Sequence, residues 1–340
     1  MNRQALEETA NAMVAPGRGI LAMDESHPTC ARRFDSIGVD CNEDSRRAYR
    51  GLLVTAPGAA EHLSGYILFD ETLRQSTDAG DRFPDVIESS GSIPGIKVDT
   101  GTVDMPLHPG EKYTRGLDGL NERLIEYRDL GARFAKWRAV ITIGDGIPSS
   151  ACIDANTWAL AMYASFCQDA GIVPIVEPEI LMDGAHDIET CDFASRATLN
   201  ALFSALYRQS VHIEGTVLKA SMVLSGPDCP VQASDEEIAE KTIDCLRDMV
   251  PAALPGVVFL SGGQTALQST VRLNAMNASG ADLPWRLSFS YGRALQDPAL
   301  RAWNGSAENA VEAQRQLALR ARANGAATLG EYSPSMEEAA

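Results

Sequence analysis

Glu214-Gly215-Thr216-Val217-Leu218-Lys219-Ala220-Ser221-Met222 reads as a short buried strand of β-branched and apolar residues, with one lysine near its C-terminal end. A lysine there must either leave the core or be kept for a purpose. In an apolar pocket shared with other cations, an amine gives up its proton readily and becomes a nucleophile toward carbonyl carbon. A lone lysine could equally cap a strand and snorkel to solvent. The stretches on either side decide between the two.

Seven further apolar runs resemble the first: residues 19–24, 65–70, 93–99, 134–140, 172–179, 256–261 and 286–291. Helical patterns separate them. Residues 4–13 are amphipathic, Asn42 can cap a helix through Leu53, and residues 154–170 form a helix closed by Gly171. Ser234-Asp235-Glu236-Glu237 reads as a capping box, and residues 307–323 as a closing helix. Eight near-continuously apolar strands alternating with helices are the pattern of a parallel sheet buried on both faces. The α/β architecture this predicts is a (β/α)8 TIM barrel, one domain over residues 1–340. A doubly wound sheet is the competitor, but no Gly-x-Gly-x-x-Gly follows the first run and there is no P-loop. Residues 330–340 are acidic and aperiodic, so a flexible C-terminal tail is expected.

Composition excludes several functions. The 340 residues are 45% hydrophobic and 22% charged, with a net charge of −17. Such a surface repels phosphate backbones and anionic lipid, so neither a nucleic-acid nor a membrane role is expected. The seven cysteines form no Cys-x-x-Cys pair and the five histidines are dispersed, which suits reduced thiols in the cytoplasm and no metal site. No run is long and apolar enough for a membrane span, and the first residues lack the order of a signal peptide.

Charges fall where the apolar runs end. Asp24, Lys97, Lys136, Arg138, Glu177, Glu179 and Lys219 all lie within or at the C-terminal ends of these runs. Residues two apart in a strand point the same way, so Lys136 shares a face with Arg138, and Glu177 with Glu179. Burying so many ions is costly unless they face one another or a ligand. A barrel gathers the C-terminal ends of its strands around one pocket. After the last two runs come Ser261-Gly262-Gly263-Gln264 and Ser290-Tyr291-Gly292-Arg293, whose glycines and arginine suit a phosphate at a helix start. The inferred pocket has an excess of positive charge within an acidic protein, which fits a phosphorylated substrate.

These residues carry a resemblance to the class I fructose-bisphosphate aldolases, the Schiff-base type that works without metal. The matching motifs are Gly19-Ile20-Leu21-Ala22 through Asp24-Glu25-Ser26, Gly95-Ile96-Lys97-Val98-Asp99, Phe134-Ala135-Lys136-Trp137-Arg138, Ile175-Val176-Glu177-Pro178-Glu179-Ile180, Val217-Leu218-Lys219, Leu260-Ser261-Gly262-Gly263-Gln264 and Ser288-Phe289-Ser290-Tyr291-Gly292-Arg293-Ala294-Leu295. They run in order along nearly the whole chain.

The resemblance implies roles at these positions. Lys219 would form a protonated imine with the C2 ketone, Glu177 would act as general acid and base, and Glu179 would orient the neighbouring groups. Asp24 would take the C4 hydroxyl proton, and Lys136 would hold substrate hydroxyls and help keep Lys219 deprotonated. Ser261, Gly262 and Arg293 would bind one phosphate, with Ser26, Arg33, Lys97 and Arg138 toward the other. The reaction implied is reversible cleavage of fructose 1,6-bisphosphate to dihydroxyacetone phosphate and glyceraldehyde 3-phosphate, in glycolysis and gluconeogenesis. No cofactor is implied, and the quaternary state by analogy is a homotetramer. An aldolase for another sugar bisphosphate, such as sedoheptulose bisphosphate, or a non-catalytic scaffold on the same fold, are the alternatives.

The chain departs from the family pattern in three places. Ala220-Ser221 follows Lys219 where Pro-Asn is common, and His27-Pro28 follows Ser26 where Thr-Gly is common. Animal members end in a tyrosine that assists protonation of the enamine, whereas the last tyrosine here is Tyr332. Proton transfer at C3 is therefore expected to be slower or to use another group.

Overall fold

The computed structural model describes residues 2–338. Eight strands close into a barrel: β1 (Gly19–Met23), β2 (Leu63–Leu68), β3 (Ile93–Lys97), β4 (Phe134–Ile141), β5 (Val173–Ile180), β6 (Val217–Ala220), β7 (Gly256–Phe259) and β8 (Arg286–Tyr291). Each pairs in parallel with its neighbours in sequence, and β8 returns to β1 with Ile20 opposite Ser290. Helices cover the outside, so the α/β barrel expected from the alternating runs is the observed fold.

Strand alternation sorts the interior into layers. On β4 the inward residues are Phe134, Lys136 and Arg138, and on β5 they are Val173, Ile175, Glu177 and Glu179. The lower ends supply Ile20, Ile67, Phe134, Val173, Ile175, Val217 and Val258, a dry plug of aliphatic and aromatic side chains. Phe134 fits only because Gly95 has no side chain, since a Cβ there would lie 2.2 Å from its ring. Helix Arg3–Met13 seals the lower mouth, its Leu6, Ala10 and Met13 joining the plug. Ser64 on β2 donates to the Met13 carbonyl at 2.6 Å and fixes that seal. With the lower half filled by hydrocarbon, the charged residues further along each strand have only the upper mouth to occupy.

Several local features differ from the sequence reading. Ile213–Gly215 is a 3-10 turn, so the lysine strand is shorter than its apolar run and begins at Val217. The helix expected over residues 154–170 starts instead at Ser150, where the Ser149 side chain accepts from Cys152 N–H at 3.1 Å. Ser234 caps its helix through the Glu237 N–H at 3.2 Å but makes only this half of a capping box. A hairpin, Thr102–Asp104 with Lys112–Thr114, was not anticipated between β3 and β4.

The C-terminal segment, expected from sequence to be a flexible tail, makes side-chain contacts through residue 337. Tyr332 is buried, its N–H donates to Asn274 Oδ1 at 2.9 Å, and its hydroxyl donates to Glu337 at 3.1 Å. Glu337 pairs with the buried Arg320, which also donates to the Ala266 carbonyl at 2.9 Å. These contacts seat the segment against helices Ala266–Ala278 and Ala310–Ala327. Residues 339 and 340, also part of the expected flexible tail, lie outside the described residues. No helix among the described residues is long and apolar enough to cross a membrane.

Candidate active site

The upper mouth is a cleft of about 650 Å³ lined by all of the residues singled out from sequence: Asp24, Ser26, Arg33, Lys97, Lys136, Arg138, Glu177, Glu179, Lys219, Ser261, Gly262 and Arg293. Its floor is a chain of contacts between strands. Lys219 Nζ on β6 lies 3.0 Å from Glu177 Oε1 on β5. The other oxygen of Glu177 lies 3.3 Å from Lys136 Nζ on β4, which reaches Asp24 Oδ2 after β1 at 2.8 Å. Lys136, Glu177 and Lys219 are all at most 4% exposed. Lys219 therefore does not stand alone in an apolar pocket, as its strand suggests in isolation. It is paired with a carboxylate.

The charges in this floor tune one another. Burial pushes the Asp24 carboxyl up, but Lys136, Lys219 and Lys97 together outweigh it and hold it at about 2. Burial also opposes ionisation of Glu177, and Lys136, Lys219 and Arg138 reverse that, holding it below its ordinary value. For Lys136, desolvation would lower the pKa, yet Asp24, Glu177 and Asp99 raise it well above the usual lysine range. Asp24 and Glu177 are thus anions and Lys136 a cation throughout the neutral range.

Residues 5–340 match the family described as fructose-bisphosphate aldolase class-I. The chain belongs to this family. It is 57% identical over 333 residues to a probable fructose-bisphosphate aldolase class 1 of Xanthomonas axonopodis pv. citri, covering 98% of this chain and 99% of that one. The cytosolic fructose-bisphosphate aldolase 4 of Arabidopsis thaliana is 52% identical, over 93% of this chain and 81% of its own. Among solved structures, the Plasmodium falciparum fructose-bisphosphate aldolase in complex with TRAP and a small-molecule inhibitor superposes with a TM-score of 0.95 at 46% identity. That match covers 97% of this chain and 95% of the other. The activity is that of an aldehyde-lyase acting on fructose 1,6-bisphosphate.

Two cationic corners flank the floor of this aldolase. At the β7–β8 corner, Arg293 opens helix Arg293–Trp303 and its guanidinium donates to the Gly262 carbonyl. Gly262 has φ +52°, and a Cβ there would collide with Met182, so the loop is open to nothing larger than glycine. The backbone N–H groups that start this helix, with the Ser261 hydroxyl, offer donors to an anion. Around the rest of the mouth each cation is held by a carboxylate. Arg33 contacts Glu25 at 2.6 Å, Lys97 contacts Asp99 at 2.8 Å, and Arg138 contacts Glu179. Ser26 caps helix His27–Asp35 by position, but its hydroxyl bonds none of the helix N–H groups.

Asp99, Glu25 and Ser290 are among the lining residues not singled out from sequence. Asp99 receives Lys97 Nζ and also accepts from the Arg138 N–H at 3.3 Å, tying β3 to β4. Its position two residues after Lys97, on the same face, was the available signal. Glu25 holds Arg33, and it lies beyond the end of β1, where strand alternation gives no direction. Ser290 presents a buried hydroxyl without a partner on the inner face of β8, which its alternation with Ser288 could have revealed.

Proposed function

We propose that Lys219 is the covalent nucleophile of this aldolase and needs no metal. Its amine bonds to C2 of the ketose, the C2 oxygen leaves as water, and the protonated imine accepts the electron pair when the C3–C4 bond breaks. Glu177 moves the protons for these steps, giving one to the departing oxygen and taking one from nitrogen. Asp24 accepts the C4 hydroxyl proton as the aldehyde forms. Lys136 binds the substrate hydroxyls, and Glu179, steadied by Arg138, orients the groups around Glu177.

The observation that supports this reading is the unbroken series Asp24, Lys136, Glu177, Lys219, with contacts of 2.8, 3.3 and 3.0 Å. One carboxylate touches both lysines, so a proton can pass between Glu177 and the Lys219 nitrogen without rearrangement of the strands. Asp24 is a weak base while Lys136 grips it. Substrate hydroxyls that draw Lys136 toward themselves release Asp24 for its task.

The β7–β8 corner adjoins β6, so Ser261, Gly262 and Arg293 take the C1 phosphate, nearest the imine carbon. Ser26, Arg33, Lys97 and Arg138 take the C6 phosphate. The seven unpaired cysteines fit a reducing cytoplasm. A homotetramer is supported by the outward faces of helices Ser150–Asp169 and Ile188–Arg208, which pack side by side. They present Trp158, 46% exposed, and Phe193, 76% exposed. Exposed aromatic side chains such as these suit a contact between copies.

Borohydride reduction in the presence of dihydroxyacetone phosphate and a chelator tests the chemistry. The expected result is a stable adduct, located on Lys219 by peptide mass, and its loss in Lys219→Met. Cleavage surviving in Lys219→Met, or turnover abolished by the chelator and restored by zinc, refutes the proposal.

A further inference from the structure

Behind the Asp24-Glu25-Ser26 segment lies a group of charges that the chemistry above does not use. Glu71, in helix Asp70–Arg74, accepts from Arg46 at 2.6 and 2.9 Å and from Arg50 at 3.1 Å. His27 Nε2 stands 3.3 Å from the same carboxylate. Arg50 is only 2% exposed, its other terminal nitrogen donates to the Glu25 carbonyl at 2.7 Å, and its guanidinium lies 5.8 Å from the centre of the Phe69 ring.

A guanidinium is costly to bury, and when every partner is fixed it fixes them in turn. What Arg50 fixes is one peptide group of the cleft wall. The Glu25 carbonyl belongs to the peptide that joins Glu25 to Ser26. The Glu25 carboxylate holds Arg33 at 2.6 Å and accepts from Gln296 at 2.7 Å, and Gln296 also donates to the Ala22 carbonyl at 2.6 Å. Rotation of the Glu25–Ser26 peptide would displace the Ser26 hydroxyl and the Arg33 anchor together. His27 adds a second tether, since its ring meets Phe69 edge-on at 5.3 Å. This tether stands in the His27-Pro28 pair that departs from the family pattern.

We infer that Arg50, backed by Glu71, is a positioning residue for the C6-phosphate corner and sets the preference for two-phosphate over one-phosphate ketoses. The inference rests on the proposed assignment of Ser26 and Arg33 to that phosphate. Lys219, Glu177 and Lys136 sit on barrel strands that Arg50 does not touch, and Asp24, at the end of β1, is held separately by Lys136 at 2.8 Å, so the bond-breaking machinery stays in place without Arg50. What is lost is the prepared position of the corner, and the phosphate must order it on binding.

Steady-state kinetics with fructose 1,6-bisphosphate and fructose 1-phosphate test this in Arg50→Met, Arg50→Lys, Glu71→Gln and, as reference, Arg33→Ala. Arg50→Met is expected to raise KM for the bisphosphate tenfold or more with kcat within twofold, and to leave both constants for fructose 1-phosphate within twofold. Arg50→Lys should recover part of the KM, and Glu71→Gln should shift it in the same direction. If Arg50→Met does not fold, as judged by thermal melting, Glu71→Gln carries the same comparison. A merely structural role lowers kcat for both substrates alike, and that result overturns the inference. So does an unchanged bisphosphate KM in folded variants while Arg33→Ala loses its preference. An Arg33→Ala enzyme that keeps full preference instead overturns the phosphate assignment, and the inference falls with it.

Discussion

Replacing Asp24 with asparagine keeps the shape of the side chain and removes its charge, so it isolates what the anion contributes. The folded protein holds this carboxyl at about 2, against 3.8 ordinarily. At about 1.4 kcal/mol per tenfold change, the gap amounts to about 2.5 kcal/mol in favour of the folded state at neutral pH. Because the folded value is the lower one, the stabilisation is complete above the ordinary value and disappears as pH falls through about 2. Asp24→Asn is therefore expected to unfold more easily than wild type by about 2.5 kcal/mol at pH 7, with roughly half of that deficit remaining at pH 3. Urea unfolding followed by tryptophan fluorescence, at one fixed protein concentration across that range, measures the difference directly. A variant as stable as wild type at pH 7, or a deficit that does not shrink in acid, refutes the claim that the lysines outweigh burial at this site. In the same variant, kcat should fall by about 10²- to 10⁴-fold, the range for loss of a general base.

Tyr332→Phe should leave the pre-steady-state protonation of the enamine within twofold of wild type, because this hydroxyl is committed to Glu337 and does not line the cleft. A large slowing of that step would show that the tyrosine reaches the site after all. Trp158→Glu places a charge on the exposed aromatic patch of helix Ser150–Asp169 and should break the proposed tetramer into smaller species, as read by sedimentation. A wild-type protein that sediments as a monomer removes the basis for that face.

The barrel was legible because its strands are buried on both sides and so read as unbroken apolar runs, six of the eight carrying a charge toward the mouth. Lys219, Glu177 and Lys136 stand out in sequence because ions are rare in such runs. The hairpin at Thr102–Asp104 and Lys112–Thr114 left no such trace, since its short strands are largely exposed and surrounded by turn residues. Arg50 and Glu71 were invisible for another reason. Arg50 sits on an ordinary amphipathic helix, and its partners Glu25 and Glu71 lie in separate elements that only the fold brings together. The docking of Tyr332 was hidden likewise, because its partner Asn274 belongs to a distant helix.

The helix stoppered into the base of the barrel turns the cleft into a vessel with a floor and one door. Under the proposed chemistry, one fragment stays tethered to Lys219 after the carbon–carbon bond breaks, and the other lies nearer the opening. Departure is then a queue: the aldehyde has to go first, and in the synthetic direction the ketone has to be seated before the aldehyde arrives.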